Sequence, residues 1–259
     1  MDASEAPGAD CAAIVAHLRR FLPAAEARSC ASPLPFGVPN IDAYLPAGGL
    51  ARGALHEVTA TETAAMPSAF GFVAALLGHA LKAEERGQAL LVLSRGSADF
   101  GQPYGHGLSA LGLSPDRLIL VEAASDREAL WAVEEALRLR AVAAVAGWIA
   151  QKLGLKASRR LQVAAEASGA LLLVLRPPEA EEEDAATTRW RVGAASAVRD
   201  RFGCFERWRW RLSLERCRNG RPGAWVVELS DAHRFGLSGP LAHPALLEGA
   251  GSDAVRRAG

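Results

Sequence analysis

The stretch Leu50–Ser68, LARGALHEVTATETAAMPS, constrains this chain more than any other. Its apolar part, Ala54–Thr59, predicts a strand that feeds a turn and then a helix starting near Pro67. Strand, loop and helix in that order is where α/β ATPases place a phosphate-binding loop. Such a loop needs glycines so that backbone N–H groups can curl round phosphates. It also needs a Lys for their charge and a Ser or Thr for Mg²⁺. Here no glycine lies between Gly53 and Gly71, and the loop positions hold Ala60, Ala65, Met66 and Pro67. Methionine carries no charge and proline has no N–H to donate. The expectation is an ATPase-like scaffold without a phosphate site, and no cofactor.

Strands and helices alternate on either side of this stretch. Gln88–Ser94, Leu118–Glu122, Val142–Ile149 and Ala170–Leu175 read as strands, mostly apolar throughout, the pattern of strands buried on both faces. Between them lie a helix from Pro67 to about Arg86, one opened by the capping box Ser125-Asp-Arg-Glu128 and running to about Arg140, and one over Lys156–Ser168 stopped by Gly169. This predicts an α/β fold with a mostly parallel sheet flanked by helices. Past Arg176 the texture changes. Pro177–Asp184 is an acidic, Pro-led loop, and Trp208–Leu214 alternates with period two. Turns at Asn219-Gly220 and Pro222-Gly223 then return the chain over Ala224–Leu229, which predicts a C-terminal antiparallel hairpin. Ahead of the core, Ile14, Leu18, Phe21 and Leu22 recur at helical spacing and predict an N-terminal helical arm that docks on a partner or on its own core. The expected organisation is residues 1–33 as tail and arm, 34–235 as core and 236–259 as a C-terminal tail.

Formal charge is balanced, 29 basic against 29 acidic residues, so overall charge points to neither nucleic acid nor membrane. No apolar run reads as long enough to span a bilayer, and Met1–Asp10 lacks the apolar core of a signal peptide. The four cysteines are far apart and read as reduced thiols, consistent with a cytoplasmic protein.

An ATPase of this type also needs an acidic residue at the end of a strand near the loop. Strand Gln88–Ser94 leads into Arg95, Gly96 and Ser97, and strand Val142–Ile149 carries Gly147 and Trp148 where an Asp is wanted. The six histidines form no metal pattern, and no Ser sits in a G-x-S-x-G elbow. The chain is expected to be no enzyme and to hold no metal.

Charge is concentrated locally. Arg189–Arg221 contains ten Arg and three acids, a local excess of seven. Alternation predicts Trp208, Trp210, Leu212 and Leu214 on one face of a strand and Arg207, Arg209 and Arg211 on the other. The arginines, with Arg189 and Arg191, form either a solvated outer face or a basic surface for DNA phosphates or an acidic partner. A second basic group, Lys152, Lys156, Arg159 and Arg160, carries the same two readings.

Leu34–Asp42 followed by Gly48–Val58 resembles the start of a RecA-like core. Arg52-Gly-Ala-Leu-His-Glu57, Leu130–Glu135, Ala157-Ser-Arg-Arg-Leu-Gln162 with Ala164–Gly169, Thr187-Thr-Arg-Trp-Arg-Val192 and Arg218–Trp225 together resemble the ImuA family, relatives of RecA and of the SulA division inhibitors. The resemblance covers about Leu34 to Phe235. It implies an accessory role in DNA-damage-induced translesion synthesis and SOS mutagenesis, at a nucleoid-associated location. The implied partner is an ImuB-like inactive Y-family polymerase, with RecA, an error-prone polymerase and single-stranded DNA as further candidates. The alternatives are a SulA-like cell-division inhibitor and a divergent RecA-type DNA-binding ATPase. In RecA the loops after two later core strands face DNA. The matching stretches here are Gln151–Ala157 and Arg176–Trp190, and the acids of the second would repel phosphates.

Overall fold

The apolar runs form the centre of the sheet. In the computed structural model, which describes residues 32–84, 87–139, 141–150, 153–179, 185–230 and 233–238, strands β1 (Ala54–Ala60), β4 (Val142–Trp148) and β5 (Leu171–Arg176) are buried at every position. With β2 (Gln88–Ser94) and β3 (Leu118–Ala123) they pair in parallel. The remaining strands are β6 (Thr188–Ala194), β7 (Val198–Arg199), β8 (Phe205–Cys217), β9 (Gly223–Leu229) and β10 (Phe235–Leu237). The ten-stranded sheet runs β10-β9-β8-β6-β1-β5-β4-β2-β3, with β7 paired to β8 off this path.

β6 is the hinge between two kinds of sheet. It joins β1 in parallel and β8 antiparallel, and β9 and β10 continue antiparallel. Its sequence, TRWRVGA, alternates arginine with apolar residues and lies beyond the acidic segment, so no strand is predicted there. Two ends also differ from expectation. β10 carries the sheet to Leu237, two residues past the predicted core boundary, and the helix after Ser125 stops at Leu137 rather than Arg140.

The helices are α1 (Pro39–Asp42), α2 (Met66–Ala83), α3 (Gly105–Ala110), α4 (Asp126–Leu137) and α5 (Leu155–Ser168). α2 crosses one face of the sheet and packs on β1, β4, β5 and β6. With its preceding 3-10 turn, Thr63–Ala83 is long and apolar enough to cross a membrane, contrary to the sequence expectation. Most of it is buried on the sheet, which accounts for the apolar composition. α4 and α5 cover the opposite face of the parallel half, over β1 to β4.

The segment from Leu34 to Leu50 closes the α2 side. Leu34 and Leu50 exchange backbone hydrogen bonds, and Asp42 accepts from the N–H groups of Phe36 and Val38. That carboxylate holds Phe36 in an aromatic cluster with Phe72, Trp190 and Phe235. Among the described residues β8 and β9 lie outside the part of the sheet that α4 and α5 cover. The expected arm (Ile14, Leu18, Phe21, Leu22) and Lys152 fall outside the described residues.

Candidate nucleic-acid interface

The loop after β1 leads from a strand into a helix, as a phosphate loop does, and three of its backbone donors are used within the chain. Thr61 N donates to Val192 O and Ala65 N to Glu62 O, both at 2.9 Å. Met66 N donates to Thr63 O, and Pro67 sits in the first turn of α2. Ala65 has φ −87°, and no residue between Gly53 and Gly101 has positive φ among those described. A phosphate nest alternates hands of backbone to aim successive N–H groups at one point; this loop does not. Met66 is 1 % exposed and lies in the core with Ala60 and Ala65. The carboxylate at a strand end, Glu122 of β3, is four strands from β1, about 19 Å at ordinary strand spacing.

The family-like motif Arg52–Glu57 proves to be structural. Arg52 pairs with Glu84 past the end of α2. Gly53 has φ +64°, and a Cβ there would come 3.3 Å from Ala165 O. His56 is fully buried beside Thr188 (2.7 Å) and Ala51 O (2.8 Å). A carbonyl only accepts, so Nε2 carries the proton, and Nδ1 accepts from the Thr188 hydroxyl, which itself accepts from Trp190 Nε1 at 2.9 Å. Burial pushes the His56 pKa down to about 4, against a smaller upward pull from the Ala51 carbonyl. Glu57, on the other face, receives Arg176 at 3.1 Å and Arg189 at 3.3 Å. Arg176 is completely buried and the Arg189 side chain is 16 % exposed. Arg189 is therefore a largely buried residue of the α4–α5 side, paired with its register partner Glu57. It is not part of an open basic surface.

The motif Ala157–Gln162 is structural in its apolar half. Ser158 Oγ accepts from Ala185 N, and Gln162 Oε1 accepts from Leu55 N at 2.9 Å, tying α5 to β1. No sequence signal marks this pairing, because the partners are about a hundred residues apart. Lys156, Arg159 and Arg160 face outward, and Arg160 is held by Glu134 of α4 at 2.6 Å.

Arg191, Arg207, Arg209 and Arg211 do share one face of the antiparallel half. They are only partly free. Arg191 pairs with Glu215, and Arg207 and Arg209 share Glu228 of β9 at 3.0 and 3.2 Å. The local charge count misses Glu228 because it reaches the patch across a strand. Arg211 is exposed and lies over Gly193, where a Cβ would come 3.6 Å from its Nε and 3.0 Å from the Thr61 hydroxyl. On the opposite face Trp210, Leu212 and Leu214 are buried as expected, but Trp208 is 39 % exposed. The register explains the difference. β6 pairs with β8 only from Trp210 onward, so Trp208 lies beyond the end of β6.

The surface that remains is a polar sheet face with an excess of arginine, at the edge where β1, β5 and β6 end. α5 begins at that same edge, so Lys156 and Arg159 lie there too. Ligands of parallel α/β sheets bind at this edge. Among the described residues no group of His, Cys, Asp and Glu could hold a metal.

No family model matches the chain. The solved structure of SulA from Pseudomonas aeruginosa aligns with 48 % of this chain and 97 % of its own, at 23 % identity and a TM-score of 0.40. Protein ImuA of Caulobacter vibrioides, from strain NA1000 / CB15N and again from strain ATCC 19089 / CIP 103742 / CB 15, is 38 % identical over 229 residues, covering 81 % of this chain and 90 % of the relative. Identity at that level over most of both sequences shows that the chain belongs to the ImuA family.

Proposed function

We propose that this protein is a non-catalytic, RecA-like accessory factor of DNA-damage-induced translesion synthesis and mutagenesis. It acts in a cytoplasmic, nucleoid-associated complex with an ImuB-like inactive Y-family polymerase and an error-prone polymerase. Membership of the ImuA family carries the reading. Two features of the fold support it. The loop after β1 spends three of its backbone donors, Thr61, Ala65 and Met66, internally, which favours a scaffold over an ATPase. The arginine-bearing face of β6, β8 and β9 offers a surface for DNA phosphates.

The test is genetic and biochemical together. Deleting the gene should reduce damage-induced mutation to near the undamaged level, and the wild-type gene should restore it. After damage, the tagged protein should co-purify with the ImuB-like polymerase. Normal mutation frequency in the deletion strain would overturn the proposal. So would filamentation on overproduction with mutagenesis unaffected, the result a division inhibitor would give.

A further inference from the structure

The first residues of β8 run past the main sheet. β6 pairs with Trp210–Cys217 and β9 with Trp208–Leu214, while Phe205 and Arg207 pair only with β7. β7 and the start of β8 therefore form a two-stranded ribbon that projects from the edge where β1, β5 and β6 end. Its turn is tightly held. Asp200 Oδ1 accepts from Phe202 N and Cys204 N, each at 2.8 Å. Arg199 Nη1 donates to Gly203 O at 2.7 Å, and Gly203 takes φ +79°, which only glycine adopts without strain. At the tip, Phe202 is 74 % exposed, with the Arg201 guanidinium 4.6 Å above its ring.

An aromatic ring held out in water by a braced turn is unfavourable unless something covers it. Arg201 lies over it, Arg199 braces the same turn, and Arg207 sits further down the ribbon opposite Val198. Of the two acids in the ribbon, Asp200 is occupied by the turn and Glu206 faces Arg207 at 3.7 Å. The occupant should therefore be an anion that also exposes flat apolar faces. Duplex DNA has its bases stacked inside and offers none. Single-stranded nucleic acid offers both.

We propose that the β7–β8 ribbon is a base-stacking arm for single-stranded DNA, with Phe202 stacked on an unpaired base and Arg199, Arg201 and Arg207 on the adjoining phosphates. This rests on the reading that the protein works at damaged DNA, and adds the strandedness and the contact residue.

The experiment uses the full chain, a fluorescein-labelled oligothymidylate and a duplex of equal length, with binding read by anisotropy. Phe202→Ala should weaken single-strand binding about tenfold, the scale of one lost base stack, and leave duplex binding unchanged. Phe202→Tyr should restore it. With 5-iododeoxyuridine in the oligonucleotide, ultraviolet light should cross-link Phe202 in the parent. Equal binding by parent and Phe202→Ala, with no cross-link at Phe202, would overturn the stacking arm and leave the basic face standing. Failure of the parent to bind either DNA would remove both. Binding of polyglutamate that depends on Phe202, in place of DNA, would make the ribbon a protein-docking element and overturn the proposal.

Discussion

Two carboxylates of one sheet each hold two arginines, and their settings are opposite. Glu57 on β1 binds Arg176 and Arg189 beneath the α4–α5 layer. Glu228 on β9 binds Arg207 and Arg209 on a face that α4 and α5 do not cover among the described residues. The pairing chemistry is the same and the solvent is not. Under the helices, water cannot replace a missing partner of the fully buried Arg176, so that pair is a demand of the fold. On the open face water can, so the arginines are available for a ligand. The difference separates the part of the molecule that specifies structure from the part that can recognise something.

Removing each carboxylate is the sharpest test, and the largest effect. Glu57→Gln should destabilise the protein by about 3–5 kcal/mol, because the fully buried Arg176 guanidinium loses the charge of the carboxylate it pairs with. Glu228→Gln should cost about 0–1 kcal/mol, since its partners are about a third exposed. Urea denaturation measures both. Similar losses would erase the distinction between the two halves.

His56 sharpens the comparison from the structural side. Its folded pKa, about 4, lies below the ordinary value of 6.5. Below that value the unfolded chain takes up a proton that the folded chain refuses, so stability is full above 6.5 and falls with pH until about 4. Moving from about pH 7 to about pH 5 should cost about 2 kcal/mol through this group. His56→Gln should be less stable at neutral pH and should lack that part of the slope. An unchanged slope would mean that His56 is protonated in the fold, against the hydrogen bond it accepts from Thr188.

The open face should respond in binding more than in stability. Reversing Arg207, Arg209 and Arg211 to Glu would crowd carboxylates against Glu228, so neutral Gln at all three is the cleaner change. Stability should move by about 0–1 kcal/mol per residue at most, while DNA affinity and the steepness of its salt dependence should both fall. Loss of folding would make these arginines structural, like Arg189.

The same contrast explains what the sequence discloses. Strands buried on both faces read directly: β1, β2, β4 and β5 are apolar runs, and their positions match expectation closely. β6 is hidden because it belongs to both regimes, with Trp190 and Val192 in the core and Arg189 and Arg191 on the other face. A window of residues counts charge along the chain, whereas Glu57 and Glu228 neutralise their arginines across strands. Trp208 alternates correctly with Trp210, yet periodicity carries no information about where the neighbouring strand ends. The loop after β1 is different in kind, since its lack of glycines and its proline at the helix start are local facts of the sequence.

That loop also yields the prediction with the smallest expected effect, which is none. A helix N-terminus attracts anions by about 0.3–1 kcal/mol at an exposed site, far from the roughly 8 kcal/mol of a micromolar ligand. Here Thr61, Ala65 and Met66 give their N–H groups to the chain itself and Met66 fills the place of a charge. A ligand bound a hundredfold above its Kd stabilises its protein by about 2.7 kcal/mol, which for a chain of this size raises Tm by roughly 5–10 °C. About 1 mM ATP with Mg²⁺ should leave the melting curve unmoved. It should also leave it unmoved after Ala60→Gly, Ala65→Gly, Met66→Lys and Pro67→Thr are combined, apart from the loss of stability caused by burying Lys in place of Met66. Glu122 remains four strands away, so those changes should give no hydrolysis either. A rise in the parent's Tm with ATP would show that the loop reorganises around phosphate, and the division between a structural parallel half and a recognising antiparallel half would no longer hold.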